Sequence, residues 1–460
     1  DPDFVPSASV ASRADTASST TYDSYFVERM FNDIVADMHE QLGYNEKTAK
    51  DMLYTGGYSI YCTVDPEIQS IVESVYADRN NLNYTSSKGQ LLQSGATIID
   101  NTTGDIVAVA GRVGEREGRF LLDYSTVVRQ CGSAIKPLSV YAPALDAGVI
   151  TPASVIDDYP MLLNGDVWPR NANWRYQGLT ALHKALAQSL NTCAVRTNLM
   201  YGTYNSYKFM TEKLGFTTLT ETDSTQAGNM ALGGFENGVT TLEMAAAYST
   251  FVNDGVYTTP RTYSRVEDSQ GNVIIDNNTE SHVAMKKTTA YLMRSILQDV
   301  VTRGSGGGAY FSGMSIGGKT GTTDDARDRY FAGFTPYYCA AAWSGYKSNE
   351  VVYSDTNPCS AMFKRVMSRI HEGLEDPGFH SCDGLVNVTV CADSGLLATE
   401  ACAADFRGSR VKTVQVAADT APTQSCTMHK MVSYCKDGKH IATASCPASS
   451  VMQVGVLDYA

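Results

Sequence analysis

The chain has 460 residues, 43% of them apolar and 18% charged, with a formal net charge of −13. These proportions exclude a disordered chain. The acidic balance and the lack of any basic stripe argue against a nucleic-acid partner, so the charge reads as a solubility feature. The length exceeds one compact core, which predicts a large catalytic domain with flanking modules. No run is apolar enough to span a bilayer and no signal peptide is present. The chain opens at Asp1 without a Met, which reads as a trimmed end.

Residues 1–22 are rich in Ser, Ala, Thr and Asp without periodicity and read as a linker. From Tyr25 to about Leu42, Phe26, Met30, Ile34 and Met38 recur at helical spacing and predict an amphipathic helix. The run from Tyr58 to Val64 alternates like a strand. Asp65-Pro66 then fits a helix N-cap with Pro at the first helical position, and Ile68, Val72 and Val75 share one face of that helix. Thr97–Ile99 and Ile106–Ala110 flank a turn and predict a hairpin. Helical segments dominate from Ser133 to about Gly255. Strand-like runs follow at Met314–Thr322, Tyr330–Phe334 and Cys339–Tyr346. Two early strands, a helical middle and three late strands predict an α+β fold with one mostly antiparallel five-stranded sheet. Residues 1–88 are expected to form a linking segment, 89–375 the catalytic domain and 376–460 a small Cys-containing β module.

Three short motifs occur once each along this order: Ser133-Ala-Ile-Lys136, Ser189-Leu-Asn191 and Lys319-Thr-Gly-Thr322. Taken alone, each has a plain structural reading: a helix cap followed by a solvated lysine, an N-cap, and a strand end. As an ordered set they supply the parts of a serine acyl-transfer site. A serine hydroxyl is a weak nucleophile and needs a positioned base. With a helix starting at Ser133, Lys136 lies one turn on and on the same face. A lysine kept from water near another cation loses its proton near neutral pH. Ser189 is placed to relay a proton to a leaving amine, and Asn191 to bind substrate and orient Lys136. Strand alternation puts Thr320 and Thr322 on one side, suited to a carboxylate, with Lys319 behind them supplying positive charge. Gly321 leaves room for substrate to pair with the strand. The backbone N–H groups of Ser133 and Thr322 form the expected oxyanion hole.

The third motif also satisfies the nucleotide-binding pattern Gly313-x-x-x-x-Gly318-Lys319-Thr320. A flexible glycine-rich segment precedes it and a charged, faceless one follows, so the strand and helix that pattern needs are not predicted.

Eleven cysteines are present. Cys62, Cys131, Cys193 and Cys339 read as small buried hydrophobes. Cys359 and Cys382 flank a helical stretch and are a possible pair. In the tail, Cys391–Cys402 and Cys435–Cys446 belong to two gapless copies of one repeat, each with Asp at the third place and Ala-Thr at the eighth and ninth. A turn near the start of each copy predicts the disulfides Cys391–Cys402 and Cys435–Cys446. A zinc alternative rests on Cys426-Thr-Met-His429 and His440. It is weighed against because paired Cys-x-x-Cys knuckles are absent, and no metal or cofactor is expected.

The chain resembles the transpeptidase part of class A (bifunctional) penicillin-binding proteins. The likeness extends from about Tyr25 and includes Gly56–Asp65, Pro169-Arg-Asn171, Tyr176-Gln-Gly178, Ala185–Asn191, Met230–Gly234, Glu243–Tyr248, Arg327–Phe331 and Ala342–Tyr346. The resemblance implies a serine β-lactamase-like transpeptidase fold, with the cleft between the sheet and a helical subdomain. It implies attack by Ser133 on the penultimate D-Ala carbonyl of a peptidoglycan stem peptide, release of D-Ala and aminolysis by a neighbouring stem. Lys136 is then the base, Ser189 the proton relay, Asn191 a substrate contact, and Lys319, Thr320 and Thr322 the carboxylate site. β-Lactam antibiotics acylate Ser133 as mimics. The implied location is the outer face of the bacterial cytoplasmic membrane, with cell-wall synthesis proteins as partners. The family's glycosyltransferase domain and membrane anchor have no counterpart here, so no glycan polymerisation is expected. The sequence departs from the family at Leu190, commonly Asp in β-lactamases, at Cys131, commonly Pro, and at Cys62, commonly Thr. The absence of a Glu-x-x-x-Asn after the second motif argues against a class A β-lactamase. A D,D-carboxypeptidase and a non-turnover β-lactam sensor or structural module are the other readings.

Overall fold

The computed structural model describes residues 23–458 apart from Asn164; the linker predicted over 1–22 lies outside the described residues. At its centre is a five-stranded antiparallel sheet. Its strands are β1 (Gln93–Asp100), β2 (Ile106–Ala110), β3 (Gly317–Thr322), β4 (Asp328–Phe334) and β5 (Tyr338–Gly345), in the order β3-β4-β5-β1-β2. The predicted hairpin and late strands are therefore neighbours in one sheet; β3 starts later than its predicted run, at Gly317 instead of Met314, and β1 and β4 start earlier, at Gln93 and Asp328.

Both faces of this sheet are covered, which explains why β2 is an unbroken apolar run. Its residues divide between two cores. Ile106 and Val109 join the larger core, whereas Val107, Ala108 and Ala110 join the second. Helices α2 (Pro66–Ala77) and α7 (Pro358–Ile370) fill the second core with Val72, Met362 and Met367. The larger core contains α1 (Tyr25–Leu42), α5 (Thr241–Ser249), α6 (Lys287–Arg303) and the helical middle of the chain. Phe26, Met30, Ile34 and Met38 of α1 are all buried there, on the stripe that the helical spacing predicts.

The strand predicted over Tyr58–Val64 is shorter, Ser59–Cys62, and pairs with Tyr263–Glu267. The helical middle also holds a strand pair, Val155–Asp158 with Gly178–Ala181, that helical spacing did not reveal. Strand β3 is followed by a short turn and then β4, not by a helix, so Gly313–Thr320 is not a nucleotide-binding loop. Among the described residues no helix is long and apolar enough to cross a membrane.

Beyond α7 the chain forms a small β module. β6 (Leu385–Cys391) pairs with β7 (Val411–Ala417). β8 (His429–Cys435) lies between β9 (His440–Ile441) and β10 (Val451–Leu457). The predicted disulfides Cys391–Cys402 and Cys435–Cys446 are not formed, and all four residues are free thiols. The reason is convergence. Sulfurs of Cys391 and Cys402 meet Cys426 and His429 as a group of four, and those of Cys435 and Cys446 meet His440. Cys359 and Cys382 are likewise unpaired, the Cys359 thiol donating to the Arg329 carbonyl at 3.1 Å. Of the four cysteines read as small hydrophobes, Cys131, Cys193 and Cys339 are buried and Cys62 is half-buried.

The start of α2 is set by Asp65, whose Oδ1 accepts from the amides of Glu67 at 2.9 Å and Ile68 at 3.0 Å. Asp65→Ala removes both bonds from the helix that closes the second core. It is expected to cost about 1 kcal/mol, read as a lower denaturant midpoint at unchanged slope. An unchanged midpoint contradicts this role for the cap.

Candidate active site

The three motifs meet at a cavity of about 680 Å³ lined by Ser133, Ser189, Asn191, Thr320 and Thr322. Ser133 does not open an ordinary α-helix. It sits in a 3₁₀ turn, Gly132–Ile135, followed by a π-helical turn, Pro137–Tyr141, and then α-helix from Ala142. In a 3₁₀ turn residues three apart eclipse one another, so Ser133 and Lys136 lie along one edge. The tight turn thus keeps the expected same-face relation by a different geometry. Ser133 is half-buried, and its hydroxyl makes no hydrogen bond among the described residues.

Two glycines bring the nucleophile turn against β3. Gly132 has φ 53°, and a Cβ there would stand 2.6 Å from the Thr322 carbonyl oxygen and 2.9 Å from its nitrogen. A Cβ on Gly321 would stand 1.9 Å from the carbonyl oxygen of Cys131. The protein's own backbone therefore requires glycine at 321. β3 is an edge strand, so one side of its backbone is unpaired in the sheet.

Lys136 and Lys319 are both fully buried. Lys136 Nζ lies 2.8 Å from the Ser189 carbonyl oxygen, 2.6 Å from Asn191 Oδ1 and 3.2 Å from Ser189 Oγ. Lys319 Nζ reaches the same Ser189 Oγ at 3.0 Å and the Thr320 carbonyl oxygen at 3.0 Å. Ser189 Oγ thus stands between two buried amines. Burial, reinforced by the charge of Lys319, holds the Lys136 amine well below the ordinary lysine range. Burial alone lowers Lys319 to about 7. Among the described residues no carboxylate pairs with either lysine, so the site cannot hold two ammonium ions cheaply. The lower-pKa member, Lys136, is the one left with a free lone pair.

Ser189 takes up a left-handed conformation, φ 57°, after helix α3 (Leu182–Ala187). Such a φ is unusual for a residue with a Cβ and persists where surrounding contacts over-determine it. Here its carbonyl and hydroxyl both serve Lys136. The next helix, α4, begins at Asn191 (Asn191–Tyr201), with Leu190 at the cap position and no side-chain cap from it. Its first amides are taken instead by Asn171, whose Oδ1 accepts from Asn191 N–H at 2.8 Å and Thr192 N–H at 3.4 Å. Asn171 Nδ2 donates to buried Asp158 at 2.7 Å and to the Arg175 carbonyl at 2.9 Å. Asn191 is therefore free of capping duty. Its Oδ1 holds Lys136, and its Nδ2 donates to the Arg170 carbonyl at 2.7 Å.

All eight predicted site residues of the three motifs are brought together: Ser133, Lys136, Ser189, Asn191, Lys319, Thr320, Gly321 and Thr322. Thr320 and Thr322 line the cavity while Lys319 passes behind them, as strand alternation predicts. Motif reading missed Ser305, whose Oγ accepts from Thr320 Oγ1 at 3.2 Å. It also missed the part played by Asn171. Trp168 and Arg170 line the same wall, and their clustering with Asn171 in one polar and aromatic loop was the available signal.

Known proteins share this organisation. The family described as "Penicillin binding protein transpeptidase domain" matches residues 94–352, and "Penicillin-binding protein 1A, C-terminal domain" matches residues 381–431. The chain is 34% identical over 434 residues to penicillin-binding protein 1A of Clostridium perfringens, covering 89% of this chain and 52% of that protein. It is 34% identical over 303 residues to penicillin-binding protein 4 of Bacillus subtilis, covering 65% of this chain and 46% of that protein. The chain thus spans about half the length of the curated relatives it matches. In fold it is similar to the crystal structure of penicillin-binding protein 1A from Haemophilus influenzae, with TM-score 0.71 and 19% identity over 89% of this chain and 78% of that one. It is also similar to the PonA1 protein from Mycobacterium tuberculosis in complex with penicillin V, with TM-score 0.66 and 21% identity over 77% and 95%.

Asn171 couples the loop to α4 and, through Asn191, to Lys136. Asn171→Ala leaves Asp158 and two helix-start amides short of partners and is expected to cost about 1–3 kcal/mol of stability. Asn171→Asp is expected to be worse, because a second carboxylate would face Asp158. Equal unfolding midpoints for both variants and the parent chain contradict this role.

Proposed function

The chain belongs to the penicillin-binding protein transpeptidase family, and on that premise we propose that it is a serine D-alanyl-D-alanine transpeptidase acting on peptidoglycan stem peptides. The observation that carries the reading is the Ser133 hydroxyl, open to the cavity and unpartnered, one turn before a lysine whose amine burial holds well below the ordinary lysine range. In this reading Lys136 takes the Ser133 proton as the hydroxyl attacks the penultimate D-Ala carbonyl. The backbone amides of Ser133 and Thr322 receive the developing oxyanion. Ser189, bonded to both lysines, returns the proton to the departing D-Ala amine. Thr320 and Thr322, with the charge of Lys319 behind them, hold the terminal carboxylate. The acyl group on Ser133 then passes to an acceptor amine. No cofactor enters any step.

β-Lactams are proposed to acylate the same serine. No Glu lines the cavity among the described residues, which favours an acyl-enzyme that waits for an amine over rapid hydrolysis. The location proposed is the outer face of the cytoplasmic membrane, with cell-wall synthesis proteins as partners. The domain division proposed is 1–88, 89–375 and 376–460, with the segment before residue 89 contributing α1 and α2 to the two cores.

Labelling with a fluorescent penicillin is expected to mark the parent chain and not Ser133→Ala, with both folded by circular dichroism. A stem peptide ending in D-Ala-D-Ala should release D-Ala faster when an acceptor amine is added. Labelling that survives the substitution, or rapid nitrocefin turnover, contradicts the proposal. Stable labelling without any D-Ala release would favour a sensor.

The two lysines also predict a pH profile. Lys136 acts as a base only when neutral, so acylation falls as acid protonates it. Lys319 is cationic below about 7 and neutral above, so capture of a carboxylate-bearing β-lactam weakens as pH rises through about 7. The methyl ester of the same β-lactam, which lacks the carboxylate, is expected to keep the acid limb and lose the alkaline one. An alkaline limb of equal size for both compounds contradicts the role of Lys319.

A further inference from the structure

The β module beyond α7 has little apolar material to hold it together. Its buried apolar clusters are Val390 and Val416, packed on Ala153 from the helical middle of the chain, in one place and Cys391, Cys402 and Cys426 in another. A unit of this size with so small a core ordinarily needs a disulfide or a metal as a staple. No disulfide is formed.

The cysteine cluster has the shape of a metal site. The sulfurs of Cys391, Cys402 and Cys426 and one imidazole nitrogen of His429 all lie within 4.8 Å of one another, and all four residues are buried. His429 Nδ1 stands 3.5 Å from Cys391 Sγ and 3.5 Å from Cys426 Sγ. Tetrahedral zinc with bonds of about 2.3 Å to sulfur and about 2.0–2.1 Å to nitrogen places S and N about 3.5 Å apart. A disulfide would need its sulfurs at about 2.05 Å.

The surroundings are those of a metal-bound histidine. The opposite ring nitrogen, Nε2, lies 2.9 Å from Asp405 Oδ2 and 3.4 Å from Asp393 Oδ2. A proton on Nε2 directed at Asp405 leaves the Nδ1 lone pair aimed at the three sulfurs. The carboxylates are themselves fixed. Arg407 Nη2 lies 2.7 Å from Asp393 and 2.9 Å from Asp405, and Arg410 Nη2 lies 2.6 Å from Asp393. These arginines exclude a second cation from the Asp393–Asp405 side. The backbone amides of Asp393 and Thr399 point at Cys391 Sγ and Cys402 Sγ, each at 3.4 Å.

We propose that Cys391, Cys402, Cys426 and His429 bind one zinc ion that closes this module. Three thiolates and one imidazole suit a soft-to-borderline divalent metal in a closed tetrahedral site. Binding releases three thiol protons and leaves a net charge of −1, set beside Arg407 and Arg410. The ion ties the end of β6, the short helix Glu400–Ala403, the loop before β8 and the first residue of β8 into one unit. The second repeat copy gathers only Cys435, His440 and Cys446, with His440 exposed and no fourth ligand among the described residues, so one ion per chain is expected. The site is independent of the reaction proposed at Ser133.

The test is elemental analysis of the full chain, made without a polyhistidine tag in zinc-supplemented medium and gel-filtered. The expected result is one zinc per chain, lost in Cys426→Ser and in His429→Ala, and kept in the Cys435→Ser/Cys446→Ser double variant. Should the first two variants fail to fold, cobalt(II) replacing zinc in the parent chain supplies the second readout: thiolate-to-cobalt charge-transfer bands with tetrahedral d–d bands. A zinc-free chain carrying a Cys391–Cys402 disulfide by mass mapping overturns the proposal. So does zinc that survives both single substitutions, or two zinc ions per chain of which the double variant loses one.

Discussion

Two lysine amines buried on either side of one serine hydroxyl set the terms for the rest of this molecule. Lys136 and Lys319 both reach Ser189 Oγ, at 3.2 Å and 3.0 Å. Among the described residues neither has a carboxylate partner, and both are sealed from water. Two unpaired ammonium ions at this separation would repel strongly in a poorly screened interior. The fold resolves the conflict by lowering both pKa values, Lys136 the further. A neutral amine next to a serine, with a cation one hydroxyl away, is the reagent set of an acyl-transfer site. It arises here from burial, reinforced at Lys136 by the charge of Lys319.

The scaffold serves that arrangement from two sides. From the sheet, β3 carries Lys319 inward and its two threonines toward the cavity, and the Gly132–Gly321 contact presses the nucleophile turn against it. From the helical side, Asn171 takes over the start of α4, so that Asn191 and the left-handed Ser189 can both face Lys136. The sheet is covered on both faces and gives the first side a rigid base. The second side is rooted in the larger apolar core through Leu186, Leu190 and Cys193, and its polar end is held by the buried hydrogen bonds of Asn171.

Much of this was legible from residues close together in the chain. Asp65-Pro66, the stripe on α1, the apolar run of β2 and the three motifs depend on local geometry, and each stands where its pattern implies. Interactions across long separations were not legible. Asn171 caps a helix 20 residues later, as its bonds to Asn191 and Thr192 show. Gly321 is a glycine because of Cys131, on a different element. The tail shows the same limit most sharply. The repeat suggested pairing within each copy, yet Cys426 and His429 come from between the copies and make a group of four. Spacing within one segment cannot reveal what a second segment brings to it.

The central claim is that burial, next to the charge of Lys319, holds the Lys136 amine well below the ordinary lysine range. It is tested most directly by following the ¹³Cε resonances of labelled lysines in the full chain through a pH titration, assigned with Lys136→Arg and Lys319→Arg. The account predicts two resonances that titrate apart from the rest, Lys319 near 7 and Lys136 below the ordinary range, with Lys136 rising in Lys319→Met, which removes the neighbouring charge. Every lysine titrating together near about 10.4, the value of an unperturbed side chain, would contradict it.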